Sequence, residues 1–257
     1  MYQIDLRGKC AVVFGVANEH SIAWAIARSL YQAGVNLTIT YANERLGQRV
    51  ARLTEDMDRI RLQECDVSRD DSIKETFDAI GKYSGSLDIV VHSVAFANRE
   101  DLQGNFSDIS RGNYLNSIDI SAYSLIPIVA HSADLMPEGG SVIAMTFDAS
   151  GRVYPGYNIM GTAKAALENE VKQLASEFGE RNIRVNAISA GPLETLASRG
   201  IHGFTDMRHA HASRAPLKRN ITHEEVGKVA LFLASDMSSG VTGTIMLVDA
   251  GYHIMAI

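Results

Sequence analysis

The chain has 257 residues, 24 Lys and Arg against 30 Asp and Glu, 46% hydrophobic residues and a formal net charge of −6. That length buries a sizeable core, the apolar supply excludes a disordered chain, and the mild acidity speaks against a general nucleic-acid binder. No apolar run approaches the ~20 residues of a membrane-spanning helix, and the opening MYQIDLRGKC carries no export signal. Two cysteines, Cys10 and Cys65, build no disulfide framework; they read as free thiols of a reducing cytoplasm.

The elements alternate. Residues 10–16 (CAVVFGV) read as a buried strand ended by Gly15. Residues 21–34 follow as a helix, with Ser21 as N-cap, Gly34 as stop and Ile22, Ile26 and Leu30 on one face. Strand 35–41, a polar helix over about 43–57, strand 61–67, helix 71–83 and strand 87–96 come next. A long helical stretch covers about 110–136, with Pro127 expected to kink it. Strand 139–147, a strong helix over 157–179 and strand 182–192 lead into a loop-rich stretch, 193–219. A helix over 223–235 and a last strand over 244–251 close the chain. Strands alternating with helices predict an α/β fold: one Rossmann-type, doubly wound parallel sheet of about seven strands. With no linker and no repeat, residues 1–257 read as a single domain.

Such sheets bind dinucleotides at the carboxyl edge of the strands, where strand order reverses. The first strand-to-helix turn, GVANEHSIA, lacks the GxGxxG spacing. It offers Gly15 for close backbone approach and, five residues on, Ser21 and Ile22 opening a helix whose N–H groups suit a pyrophosphate. The plain alternative is an ordinary turn with a capping serine. Asp66, in Cys65-Asp66-Val67 at the end of the third strand, suits an adenine amino group, though an aspartate there is usually a turn former. Ser93 and Val94 end the fourth strand beside the expected ribose and nicotinamide.

Tyr157 and Lys164 stand seven residues apart in YNIMGTAK. On a helix that spacing leaves the side chains about 20° apart in azimuth and roughly 10 Å apart along the axis, facing one groove. The phenol can hydrogen-bond a developing oxyanion, and the lysine can hold ribose hydroxyls. The alternative is a core tyrosine and a surface lysine.

The stretches GVANEHSIAWAIA, HSVAFAN, PGYNIMGTAKAALE, NIRVNAISAGP and TLASRGI, spread over nearly the whole chain, resemble the NAD(P)H-dependent enoyl-acyl carrier protein reductases of bacterial fatty-acid synthesis. These are a divergent branch of the short-chain dehydrogenase/reductases. The Tyr-x6-Lys spacing separates this branch from ordinary members, which carry Tyr-x3-Lys and a serine about a dozen residues earlier. The resemblance implies hydride transfer from NADH, with NADPH possible, to the β-carbon of a trans-2-enoyl thioester. Tyr157 then bonds the thioester oxygen and Lys164 the nicotinamide ribose. Gly15, Ser21 and Ile22 match the pyrophosphate turn, Asp66 and Val67 the adenine site, and Val94 the nicotinamide side. Leu193, Thr195 and Ala197 match the segment over the nicotinamide carboxamide and phosphates, and Ala97 a substrate contact. The resemblance also implies a homotetramer.

Two positions depart from the family pattern. Many members have a second tyrosine where this chain has Phe147, expected here as an apolar gate of the enoyl site, with Tyr154 nearby in a packing role. Glu194 stands where relatives often have arginine, and is expected to point away from the cofactor phosphates. Strand two ends in TYANER; Ala42 offers neither a carboxylate to a 2′-hydroxyl nor a basic group to a 2′-phosphate, Arg45 and Arg49 lie a turn or more into the next helix, and the expectation leans to NADH.

Residues 193–219 read as a lid over the acyl chain, with Ala197, Ile201, Phe204 and Met207 as its apolar surface. Arg199, Arg208, Arg214, Lys218 and Arg219 suit an acidic acyl carrier protein; equally, they pair with the protein's own carboxylates. His202, His209 and His211 lack the companions of a metal site. The rival functions are a ketoacyl-type reductase on the same fold and a non-catalytic dinucleotide-binding regulator.

Overall fold

The computed structural model describes residues 4–201 and 203–256, apart from the side chain of Arg199. Arg199, as part of the basic surface, and His202 therefore lie outside the described residues.

Seven strands form one sheet: β1 (Cys10–Phe14), β2 (Asn36–Tyr41), β3 (Ile60–Glu64), β4 (Ile89–His92), β5 (Gly140–Thr146), β6 (Ile183–Ala190) and β7 (Ile245–Val248). Their order is β3-β2-β1-β4-β5-β6-β7, and every pairing is parallel. Each crossover therefore needs a helix, and the direction of winding reverses between β1 and β4.

Alternate residues of each central strand feed two cores. Ala11, Val13, Ile89, Val91, Ile143 and Met145 pack on one face with α1 (Ile22–Gln32) and α9 (His223–Ala234). Val12, Phe14, Val90, Val142 and Ala144 pack on the other with α3 (Asp70–Ser84), α6 (Leu125–Ala133) and α7 (Ile159–Phe178). Burial on both faces explains why these strands read as continuous apolar runs. The remaining helices are α2 (Glu44–Leu53), α4 (Arg99–Gln103), α5 (Arg111–Ile118) and α8 (Phe204–Arg214).

Several boundaries shift. The third and fourth strands stop at Glu64 and His92, so Asp66, Val67, Ser93 and Val94 lie beyond the strands. The polar helix expected to 57 ends at Leu53. The long helix expected over 110–136 is broken by a π turn over Asp119–Tyr123, ahead of Pro127, which sits in the first turn of α6. The break has a use: the wide turn buries Ser121, whose hydroxyl accepts from Phe96 N at 2.9 Å and donates to Phe96 O at 3.1 Å. That clamp holds the loop after β4. The loop expected over 193–219 contains the whole of α8.

Candidate active site

Gly15 sits where β1 and β4 part. Its φ is +98°, and a Cβ built there falls 2.1 Å from the Ser93 carbonyl oxygen. The glycine thus serves the backbone crossing first; Ser93 N in turn donates to Phe14 O at 3.3 Å. Ser21 precedes α1 as its N-cap, but its side chain does not cap that helix. It closes the preceding turn instead, accepting from Ala17 N at 3.0 Å and Asn18 N at 3.1 Å. The sequence-based capping role is corrected on that point. Among the described residues, the N–H groups of Ile22 and Ala23 at the start of α1 have no protein acceptor. Those free donors and the positive helix end fit an anionic pyrophosphate.

Asp66 lies just past β3. Its Oδ1 accepts from Ser68 N at 3.0 Å and Ser68 Oγ at 2.7 Å, which is the turn-forming role. No protein donor reaches Oδ2 among the described residues, so that oxygen stays free for a ligand amino group. Val67 packs at the edge of the core behind it, and Val94 does the same beyond β4.

Tyr157 is not on the helix. It lies in the turn ahead of α7, whose N-cap, Asn158, has φ +40°. The side chain of Asn158 donates to Asp101 O and Gly104 O, both at 2.9 Å, tying this turn to α4. The arc expected from seven helical residues therefore fails, because its first two lie outside the helix. Tyr157 and Lys164 instead each make a contact at the exit of β5. Lys164, buried on α7, donates from Nζ to Met145 O at 2.9 Å. The Tyr157 ring meets Phe147 edge-on with centroids 5.0 Å apart. Met145 and Phe147 are two residues apart, so the Tyr157 ring and the Lys164 ammonium both reach the end of one strand.

Electrostatics suit a hydrogen-bond donor beside a cation. Burial raises the Tyr157 phenol above its ordinary value, keeping it protonated. Burial also pulls Lys164 down to about 8, and Glu168 acts in the opposite direction. His92, fully buried at the end of β4, is pulled down to about 3 by burial and then by the Lys164 charge. It is therefore neutral. Ser124 donates its hydroxyl proton to Ile120 O at 2.8 Å, so at 2.8 Å it receives the His92 Nε2–H.

Around Tyr157 the walls are apolar. Ala97, Tyr157 and Ile118 pack against Leu102, Met160 and Ala163. Phe147 stands between Tyr157 and Tyr154, the latter with ring centroids 4.6 Å away. Tyr154 donates its hydroxyl to Asp148 at 3.0 Å, so it is a packing residue and not a second phenol for the site.

Leu193 is buried, and Thr195 exchanges bonds with Ser198, accepting from Ser198 N at 3.1 Å. Ala197 N-caps the short helical turn that follows. Phe204 opens α8 and lines a cleft with Glu194, Ser198 and Ile201. Glu194 pairs with Arg208 of α8, and Arg219 with Glu225 at 2.7 Å. Pairing with the protein's own carboxylates thus holds at Arg208 and Arg219, and the basic surface is smaller than the sequence suggests. His211 is buried and stacks on Tyr252 with centroids 4.4 Å apart. Among the described residues, no three His, Cys, Asp or Glu gather as a metal site.

Sequence reasoning missed the Ser121 clamp, the His92–Ser124 pair and Glu168. Only Glu168 left a signal, its i+4 spacing from Lys164.

A family model described as enoyl-(acyl carrier protein) reductase matches residues 15–253. The enoyl-[acyl-carrier-protein] reductase [NADH] FabI of Nostoc sp. is 49% identical over 98% of this chain and 99% of its own. The [NADPH] FabI of Staphylococcus aureus is 48% identical over 97% of this chain and 98% of its own. The crystal structure of the Bacillus cereus enoyl-acyl carrier protein reductase with NADP+ and indole naphthyridinone superposes with a TM-score of 0.96. That protein is 46% identical, over 98% of this chain and 99% of that one.

Proposed function

We propose, for a chain that belongs to the enoyl-(acyl carrier protein) reductase family, that it reduces the carbon–carbon double bond of trans-2-enoyl thioesters at the exit of β5. The observation that carries this reading is that the buried Lys164 ammonium and the Tyr157 ring both meet that strand end. The bound nicotinamide cofactor supplies the hydride that the β-carbon receives. Tyr157 donates a hydrogen bond to the thioester oxygen as charge builds on it. Lys164 holds the nicotinamide ribose and adds a positive field. Ile22, with its free N–H at the start of α1, and Ser21, bracing the turn, receive the pyrophosphate. Asp66 and Val67 take the adenine, Ser93 and Val94 the nicotinamide half, and Leu193, Thr195 and Ala197 cover it.

Ala97, Phe147 and Phe204 form the apolar wall of the acyl site, with residues 193–219 as its lid. NADH is the preferred cofactor on this reading, because Ala42 beyond β2 has no side chain to hold a 2′-phosphate. The carrier protein docks on the basic surface left near α8, where Arg214 and Lys218 are exposed. A homotetramer fits the outer strand β7, where Leu247 is exposed, and the exposed Ile254 and Met255 that follow. Cys10 and Cys65 are both free thiols, in keeping with a reducing cytoplasm.

The test is turnover of crotonyl and acetoacetyl thioesters with each cofactor, wild type beside Tyr157→Phe. Crotonyl reduction is expected in the wild type, and losing one oxyanion donor lowers kcat by about 10²–10³. Preference for the acetoacetyl substrate, or an unaffected Tyr157→Phe, overturns the reading.

A further inference from the structure

Lys164 does not act from an isolated position. Its ammonium rests on the carbonyl of Met145. One helical turn further along α7, on the same face, stands Glu168. The Glu168 Oε1 accepts from the hydroxyl of Thr146 at 2.7 Å. Thr146 is the last residue of β5 and the immediate neighbour of Met145. The end of one strand thus grips both the lysine, through a backbone oxygen, and the carboxylate, through a side-chain hydroxyl. Thr146 is itself buried, so the carboxylate is held in a fixed place.

We propose that Glu168 is a positioning residue for reduction: clamped by Thr146, it is the counter-charge that keeps Lys164 ionised and aimed at the cofactor ribose. This rests on the reading of Lys164 as the cofactor lysine.

Among the described residues, the surroundings of Lys164 leave this task to one group. On β4, the neighbouring titratable side chain is His92, which is neutral and whose Nε2–H is committed to Ser124. In the turn ahead of α7, Tyr157 is protonated and also neutral. From β5 come only the Met145 carbonyl and the Thr146 hydroxyl. Glu168 supplies a negative charge that offsets part of the loss of water around the ammonium. Without it, burial favours the neutral amine, which brings no positive field to the site.

The experiment compares wild type with Glu168→Gln and Thr146→Val. Glutamine keeps the shape of Glu168 and still accepts from Thr146, so a merely structural role is preserved while the charge is lost. Two readouts are taken across pH 6–10: NADH affinity by fluorescence titration, and kcat/KM for crotonyl thioester. The alkaline limb of both is expected about one pH unit lower in Glu168→Gln, from the ~1–3 units an adjacent opposite charge confers. At pH 8 that weakens NADH binding about fivefold, while at pH 6 the two proteins bind alike. Thr146→Val keeps the charge and is expected to retain the wild-type limb, with a raised KM for NADH. A Glu168→Gln limb at the wild-type position overturns the proposal. A wild type that binds NADH but reduces no enoyl thioester overturns the parent reading instead, so the two failures are distinct.

Discussion

Replacing Gly15 with alanine tests the crossing on which the cofactor edge is built. The added Cβ falls 2.1 Å from Ser93 O and 2.7 Å from Ser93 C, against 3.4 Å or more for ordinary contact. Both obstacles are backbone, so no side chain can swing aside. The residue also has φ +98°, which costs a non-glycine residue about 1–2 kcal/mol. Forcing the exits of β1 and β4 apart adds about 1–3 kcal/mol, as overpacking does elsewhere. Together these come to about 2–5 kcal/mol, or roughly 4–20 °C in Tm for a chain of this size. The assay is thermal denaturation of Gly15→Ala and wild type at equal protein concentration, followed by NADH titration of the folded variant. Binding is expected to weaken as well, because the same displacement moves Ser93 and the turn leading to Ile22. A variant that melts with the wild type refutes the reasoning: the close approach then does not constrain the switch point.

Phe147→Tyr is expected to retain turnover within a few-fold, since the ring walls the site through its face and edge and Tyr157 already supplies the phenol; a dead but folded variant contradicts this. Arg214→Glu is expected to raise KM for a carrier-linked enoyl substrate several-fold more than for the coenzyme A thioester, and steady-state kinetics with equal effects on both sinks the docking assignment. The Glu225 carboxyl, held first by Arg219 and then by Thr222 N, sits at about 2, below its ordinary 4.5. Its contribution to stability is therefore complete above pH 4.5 and is lost as the pH falls through 2. Glu225→Gln should accordingly melt below wild type at pH 7 and converge with it near pH 2, as followed by Tm against pH. A constant gap across that range removes the assigned charge pairing.

The candidate site was legible in part, and the reason differs from residue to residue. Gly15 stands out because a glycine closes an apolar strand, and Lys164 because it stands seven residues from Tyr157 in a stretch that resembles the reductase family. Tyr157 was found by its spacing from Lys164, yet the helical arc behind that inference does not exist, since the residue precedes α7. The exit of β5 is what the Lys164 ammonium and the Tyr157 ring have in common. Phe147 and Glu194 were visible as departures from a family pattern. The partner of Glu194 was not, because Arg208 is fourteen residues away and only the path of α8 brings them together.

Local patterning was enough to specify the alternation of strands and helices, the parallel sheet and the edge where a dinucleotide belongs. Periodicity and turn chemistry act over a few residues, and the sequence carries them directly. The tertiary structure alone decided which charges are spent on each other, where the long helix widens around Ser121, and that a strand end holds Lys164 and Glu168 together. Those outcomes depend on distances between segments remote in the chain, which no local rule encodes.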